Sequence, residues 1–209
     1  VEVAGKPVLE HIMRSIQSAG IDDFVLVTRH LSEKIEDYFG DGSRFGLRIE
    51  YVRQGDRYGT SAAVLAARDR VDGPLMMTFA DVVVSRRNYR NIVALFIQKG
   101  GAGAVTVNWV PDPCTGASVD LGDSGTVTHV TEKPAPGSAE RYLNSSGLFV
   151  FDPVVFDHLD RVTPSWRGEY ELQDALNSMA DAGLAIYPYY LEGFWRDVGR
   201  PEDIAVASA

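Results

Sequence analysis

The chain has 209 residues, a 45% hydrophobic fraction and a formal net charge of -9, which predict a globular protein of one large or two small domains. The acidic balance and the absence of any Lys/Arg run exclude the basic surface typical of nucleic-acid-binding proteins. No apolar stretch reaches the ~20 residues that span a bilayer. The single cysteine, Cys114, cannot form an internal disulfide, so we expect a cytoplasmic protein without membrane contacts.

The first hundred residues alternate predicted helices and strands. Apolar residues spaced three and four apart predict a helix over residues 7–19. Three short apolar runs predict buried strands, and further helices follow each of them. Alternating strands and helices with short turns predict a doubly wound, mostly parallel sheet. The predicted strands are residues 23–28, 47–52 and 74–80, and the further helices are residues 32–39, 60–70 and 91–99.

After Gly100 the pattern changes to strands separated by turns. The chain shows no internal repeat or linker, so residues 1–209 are predicted to be a single domain whose second half is mixed. Helices are expected at residues 153–159, 169–182 and 201–207. The predicted strands are residues 104–110, 117–121, 126–131, 142–151 and 184–190.

Two apolar strands of the sequence each end in one carboxylate, Asp81 and Asp197. In an open α/β sheet, ligands collect outside the carboxyl ends of the strands. Mg²⁺ suits two such acids, because it takes one or two carboxylates and leaves its other positions to water and phosphates. The alternative is that Asp81 caps a turn and that Asp197 pairs with Arg196 or Arg200.

A polar loop with Gln54, Gly59 and Thr60 lies between a predicted strand and a predicted helix. Gly59 permits close backbone approach, and Thr60 is expected to cap the helix. The Gln54 amide offers one acceptor and two donors, a pattern that matches the N3–H and adjacent carbonyl of uracil or thymine. The alternative is a polar loop with an ordinary cap.

Two further segments carry residues suited to a sugar phosphate. Glu132 can accept hydrogen bonds from hydroxyls, and the Lys133 ammonium can neutralise a phosphate. The glycine of the segment Asn144 to Gly147 lies inside a predicted strand, where it often marks close approach of a ligand or another backbone. A surface ion pair and a β-bulge are the respective alternatives.

The order and spacing of these segments resemble the sugar-1-phosphate nucleotidylyltransferase family, whose members include glucose-1-phosphate thymidylyltransferases and uridylyltransferases. The resemblance extends over essentially the whole chain. It rests on Gly5-Lys6-Pro7, the Gln54 to Thr60 loop, the strand ending in Asp81, Glu132-Lys133-Pro134, Asn144-x-x-Gly147, Gly168-Glu169-Tyr170-Glu171 and Trp195-x-Asp197-x-Gly199.

The resemblance implies an α/β nucleotidyltransferase fold with a mixed-sheet, sugar-binding half. It also implies transfer of a nucleotidyl group from an NTP, with UTP or dTTP favoured, to a sugar 1-phosphate, which gives an NDP-sugar and pyrophosphate. Asp81 and Asp197 would hold Mg²⁺, and together with Lys133 they would be the catalytic residues. The implied substrate-binding residues are Gln54, Gly59, Thr60, Glu132, Asn144 and Gly147.

One departure from the family keeps other functions open. The family's first strand, its glycine-rich phosphate loop and the catalytic Arg and Lys of that segment should precede Val1, and we expect such a segment to be missing from this sequence. An inactive nucleotidyltransferase-like regulatory or binding domain is therefore one alternative. A guanylyl- or cytidylyltransferase on the same fold is another, and the sequence leaves open whether the chain forms a homo-oligomer.

Overall fold

The computed structural model describes residues 2–139, 142–198 and 203. The chain opens with a hairpin of β1 (Glu2–Val3) and β2 (Lys6–Pro7). The two turn residues, Ala4 and Gly5, have φ angles of 49° and 76°, as a two-residue turn between twisted strands requires. The first helix therefore begins one residue later than predicted.

The first half of the chain alternates helices and strands, as the sequence predicts. The predicted helix over residues 60–70 is split into α3 and a 3₁₀ turn, and the last helix of this half begins four residues earlier than expected. The helices are α1 (Val8–Gln17), α2 (Ser32–Phe39), α3 (Thr60–Ala66) and α4 (Arg87–Lys99), and the 3₁₀ turns are Ser43–Phe45 and Arg68–Arg70. The strands are β3 (Asp23–Thr28), β4 (Arg48–Arg53), β5 (Leu75–Thr78) and β6 (Val82–Val84).

The second half contains the predicted strands and two of the predicted helices. The third, over residues 201–207, lies outside the described residues except for Asp203. The strands are β7 (Gly103–Trp109), β8 (Ala117–Leu121), β9 (Val127–Glu132), β10 (Leu143–Phe151), β11 (Ile186–Tyr190) and β12 (Trp195–Asp197). The helices are α5 (Val155–Leu159) and α6 (Leu172–Asp181), with a 3₁₀ turn at Pro113–Thr115.

The central sheet has six strands in the order β11–β7–β10–β8–β9, with β5 also paired to β10. The α/β class and the mixed sheet of the second half, both predicted from the sequence, are confirmed, but the first half does not form the mostly parallel sheet that we expected, since β5 joins the mixed sheet. Among the described pairs, β3–β4 and β7–β11 are parallel and the others are antiparallel. The reason is that β10 follows the β8–β9 hairpin and runs antiparallel to β5, β7 and β8.

Strand β10 lies between two apolar layers. Phe149 and Phe151 pack with α5 and α6, whereas Leu148 and Val150 pack with α1 and α4. This alternation is expected of a strand buried on both faces, because successive side chains point to opposite sides of a sheet. None of the helices in the described ranges combines the length and apolar character needed to cross a bilayer.

A fully buried amide, that of Asn88 in α4, holds the loop that leads into β12. Its Nδ2 donates to the carbonyls of Ser85 at 2.9 Å and Glu192 at 3.0 Å. Its Oδ1 accepts from the Glu192 N–H at 3.0 Å and from the Tyr189 hydroxyl at 3.1 Å. Because Glu192 lies three residues before β12, this amide helps to fix where β12 meets β6.

We expect Asn88→Leu to lower the free energy of unfolding by about 3 kcal/mol, because it removes the four hydrogen bonds of a buried amide, including both that hold the Glu192 backbone. Urea denaturation measures this loss. Gln98→Leu, on the exposed side of the same helix, is the matched control and should change stability by less than about 0.5 kcal/mol. Equal effects of the two substitutions would contradict the assigned role of Asn88.

Candidate active site

Asp81 and Asp197 are neighbours because a two-stranded antiparallel ribbon joins their backbones. Asp81 lies in the turn between β5 and β6, and Asp197 ends β12. In the ribbon, Asp197 is opposite Val82, and the Val198 N–H donates to the Asp81 carbonyl at 2.8 Å. We expected the ends of parallel strands to bring these acids together. That expectation was wrong, because β12 pairs antiparallel with β6.

The two acids fit a magnesium ion. Both residues are exposed, but the protein around the Asp81 carboxyl desolvates it and raises its pKa above the usual range, and a hydrogen bond with its own backbone offsets part of this shift. No cluster of three or more His, Cys, Asp or Glu side chains suited to a metal occurs among the described residues. Two carboxylates with other positions left to water and phosphate match the preference of Mg²⁺, so magnesium stays a prediction that the donor set supports.

The side chain of Gln54 is held in one orientation by its own loop. Its Nε2 donates to the carbonyls of Arg57 at 3.0 Å and Gly59 at 3.1 Å. A flipped amide would place its oxygen against two carbonyl oxygens, so the flip is unfavourable. The orientation therefore offers the Gln54 Oε1, an acceptor, to any ligand that reaches this loop.

Gly59 and Thr60 contact the segment before α6. Gly59 has a φ of 133°, and a Cβ there would lie 2.4 Å from the backbone nitrogen of Tyr170. The Thr60 Oγ1 accepts from the Leu172 N–H at 2.9 Å, and α3 has no side-chain cap. The prediction that Thr60 caps its own helix was therefore wrong, because its hydroxyl caps the start of α6. The close approach at Gly59 is made by protein backbone.

Glu132, the last residue of β9, belongs to a half-buried charged network. Its Oε2 accepts from the Gln173 Nε2 at 2.7 Å, and its Oε1 lies 3.6 Å from the Arg167 guanidinium. Burial and the nearby Glu171 raise the pKa of the Glu132 carboxyl, although Lys133 and Arg167 act in the opposite direction. A half-buried acid of this kind is typical of a functional site.

Lys133 has a strained backbone. Its φ is 44°, a left-handed conformation that is uncommon for a residue with a Cβ and is further disfavoured before a proline, here Pro134. The strain is held in place by the Lys133 N–H, which donates to the Gly116 carbonyl at 2.7 Å. The side chain is exposed at the end of β9. Such strain clusters at ligand-binding sites.

The structure gives Asn144 and Gly147 packing roles. Asn144 is 4% exposed, and its amide accepts from the Ala117 N–H at 3.2 Å and donates to the Asn108 Oδ1 at 3.1 Å. Its side chain therefore joins strands, which disfavours the predicted direct contact with substrate. Gly147 has a φ of 83°, and a Cβ there would lie 2.8 Å from the Phe79 ring. The β-bulge alternative describes Gly147 well, because the register of β10 against β7 shifts between Ser145 and Phe149.

Hydrogen bonds connect all these positions. The Gly147 carbonyl accepts from the Phe79 N–H, two residues before Asp81, and the Trp195 Nε1 donates to the Ser146 carbonyl at 3.0 Å. Near the Gln54 loop, Thr60 binds the Leu172 N–H at the start of α6, and the next residue, Gln173, binds Glu132. Sequence reasoning missed Gln173, Arg167 and Asn108. No local pattern marks their place in the site, because the partners of Gln173 and Asn108, and the Glu132 carboxylate near Arg167, lie far away along the chain.

The profile of the nucleotidyl transferase family matches residues 1–209. The chain belongs to this family. The low-salt glycan biosynthesis nucleotidyltransferase Agl11 of Haloferax volcanii is 36% identical over 211 residues, and a glucose-1-phosphate thymidylyltransferase of Streptomyces griseus is 34% identical over 206 residues. The matches cover 100% and 98% of this chain but 58% and 57% of those proteins, so the chain spans little more than half of their length.

A solved structure of a UDP-glucose pyrophosphorylase complexed with UDP-glucose superposes on this chain with a TM-score of 0.88. The sequence identity is 21%, and the superposition covers 100% of this chain and 87% of that one. The α/β nucleotidyltransferase fold is therefore shared, including its mixed central sheet.

The raised pKa of Glu132 predicts a pH-dependent gain of stability in Glu132→Gln. A carboxyl whose folded-state pKa lies above its unfolded value destabilises the fold once pH rises through that interval. The variant cannot ionise, and its amide oxygen can still accept from Gln173. We expect it to be more stable than the wild type at neutral pH, with a smaller difference at about pH 4.

Urea denaturation at the two pH values measures this difference. Glu33→Gln, at an exposed position of α2, controls for the chemical change itself. A Glu132→Gln protein that is less stable than the wild type at neutral pH would show that Arg167 and Lys133 outweigh burial.

Proposed function

We propose that this chain is the nucleotidyltransferase domain of an enzyme that transfers a nucleotidyl group from an NTP to a sugar 1-phosphate. One observation carries the proposal. A single hydrogen-bonded frame joins two adjacent acids, an exposed lysine on strained backbone, a half-buried glutamate and an amide held in one orientation. The relatives support it, since one of them is a glucose-1-phosphate thymidylyltransferase. Its products would be an NDP-sugar and pyrophosphate.

The proposed reaction needs positioning and charge neutralisation more than a covalent catalyst. An oxygen of the sugar phosphate attacks the α-phosphorus in line, a new P–O bond forms, and the bond to the bridging oxygen of the β-phosphate breaks with release of pyrophosphate. Lys133 neutralises the attacking phosphate. Asp81 and Asp197 would hold Mg²⁺, which supplies charge stabilisation at the phosphates.

The base would be selected by the Gln54 Oε1. Uracil and thymine present an N3–H donor, whereas cytosine presents an N3 acceptor at the same position. Because two carbonyls hold the Gln54 amide with its nitrogen turned toward the loop, the exposed acceptor matches the first pair. UTP and dTTP are therefore the favoured nucleotides.

The competing function is that of a nucleotidyltransferase-like domain that binds these ligands without turnover. The presence of Asp81, Lys133 and Asp197 favours the enzyme. Assaying the whole protein that contains this chain against a panel of NTPs and sugar 1-phosphates tests the two functions, and a cytoplasmic location stays a prediction of the sequence.

Asp197→Asn and Asp81→Asn should each lower kcat by at least about a hundredfold, since each removes a carboxylate that stabilises developing charge by several kcal/mol. Folding should remain nearly intact because both positions are exposed. Steady-state kinetics at limiting Mg²⁺ measures the effect, and Asp123→Asn in the exposed β8–β9 turn is the control. Wild-type turnover by Asp197→Asn under these conditions would rule out its metal role.

For the base, we expect kcat/KM to be highest with UTP and dTTP, lower with CTP, and lowest with ATP and GTP. Gln54→Ala should flatten the ranking among pyrimidines more than it lowers the best rate, because it removes the group that reads the base edge. Competition assays with nucleotide pairs measure the ranking, and Gln98→Ala on α4 is the control. A profile led by GTP, or a ranking unchanged in Gln54→Ala, would exclude this mode of base selection.

A further inference from the structure

Two amides one helical turn apart on α6 both reach the edge strand β9. The Asn177 amide exchanges two hydrogen bonds with the backbone of Val130, accepting at 2.7 Å and donating at 3.0 Å. It therefore satisfies an exposed strand edge, a common structural device. The Gln173 amide instead donates to a side chain, that of Glu132, at 2.7 Å. The two amides thus serve different parts of the same strand.

The packing around Gln173 is unfavourable for a purely structural amide. The residue is 9% exposed, and its Oε1 is buried without a hydrogen-bond partner among the described residues. A buried acceptor that lacks a partner destabilises the folded state. A methionine of similar length would fill the same space without that cost. Among the described contacts of Gln173, the hydrogen bond to Glu132 is the one that explains why this position carries an amide.

Both oxygens of Glu132 are approached by donors from the α6 side of the site. Gln173 contacts Oε2, and the Arg167 guanidinium lies near Oε1 while it also binds Glu169 at 2.8 Å and Glu171 at 3.3 Å. Arg167 is shared among three carboxylates, and it lies farther from Glu132 than the Gln173 amide does. Gln173 therefore makes the shorter and more directional contact to Glu132. A carboxylate held in this way presents its remaining lone pairs in a fixed plane, ready to accept from hydroxyl groups.

We propose that Gln173 is a positioning residue that orients Glu132 toward the hydroxyls of the sugar acceptor. This inference rests on the proposed function, because it assigns Glu132 to the sugar. Gln173 itself does not touch the sugar. It determines how well a polyol acceptor is held, and it has no part in holding the nucleotide.

Gln173→Met tests the proposal in steady-state kinetics with UTP or dTTP and glucose 1-phosphate or N-acetylglucosamine 1-phosphate. We expect the KM for the sugar 1-phosphate to rise about tenfold to hundredfold, as for the loss of a hydrogen bond to a charged group. The KM for the NTP should stay unchanged. Stability in urea should stay equal or increase, because the variant also removes the unpartnered Oε1.

Asn177→Met is the matched control, with the same replacement on the same helix against the same strand. It should lower stability and leave the KM for the sugar 1-phosphate much less affected. A double-mutant cycle gives a second readout. If Gln173 acts through Glu132, Gln173→Met should have no further effect on that KM in a Glu132→Ala background.

The outcomes separate this inference from the proposed function. Turnover by the wild type with an unchanged sugar 1-phosphate KM in Gln173→Met would overturn the role of Gln173 and leave the function standing. If the wild type shows no turnover, calorimetric binding of glucose 1-phosphate replaces kinetics, and weaker binding by Gln173→Met supports the role while the enzyme function fails. A wild type that neither turns over nor binds a sugar 1-phosphate would overturn both.

Discussion

The arrangement of the site depends on how β10 divides one of its edges between two partners. Along its other edge β10 pairs with β7 at both ends, but on this edge Asn144 pairs with β8 and residues 148–151 pair with β5. The change of partner falls at the bulge, where Gly147 has a positive φ. A strand edge has one set of backbone groups, so β5 and β8 must diverge there. The divergence places Asp81, after β5, on one side of the bulge and the β8–β9 pair that ends in Glu132 on the other.

Several residues around this divergence are individually unfavourable for stability. Lys133 has a left-handed backbone, Gln173 buries an unpartnered oxygen, and protein around Asp81 and Glu132 raises the pKa of both carboxyls. Local rules of this kind are usually broken where function requires it. At these four residues the unfavourable features coincide with the proposed site.

The segment before α6 links the two proposed halves of the site. The backbone of Tyr170 packs against Gly59 in the loop of Gln54, the Leu172 N–H binds Thr60, and Gln173 binds Glu132. Three residues of this segment thus position the Gln54 loop and Glu132 together. This segment consequently has little freedom to change its backbone. Because the Tyr170 backbone lies against Gly59, the protein's own packing requires a glycine at position 59.

The sequence by itself determined the α/β class, the positions of most helices and strands, and the identity of the acids, because periodicity and short motifs depend on neighbouring residues. It could not show that β12 pairs antiparallel with β6, that Thr60 caps a different helix, or that Asn144 lies inside the sheet. Those outcomes depend on partners far away along the chain, such as Thr60 with Leu172 and Asn144 with Asn108. Tertiary structure likewise decided the orientation of the Gln54 amide and the place of Gln173, since each is fixed by which carbonyl or carboxylate the folded chain brings within hydrogen-bonding distance.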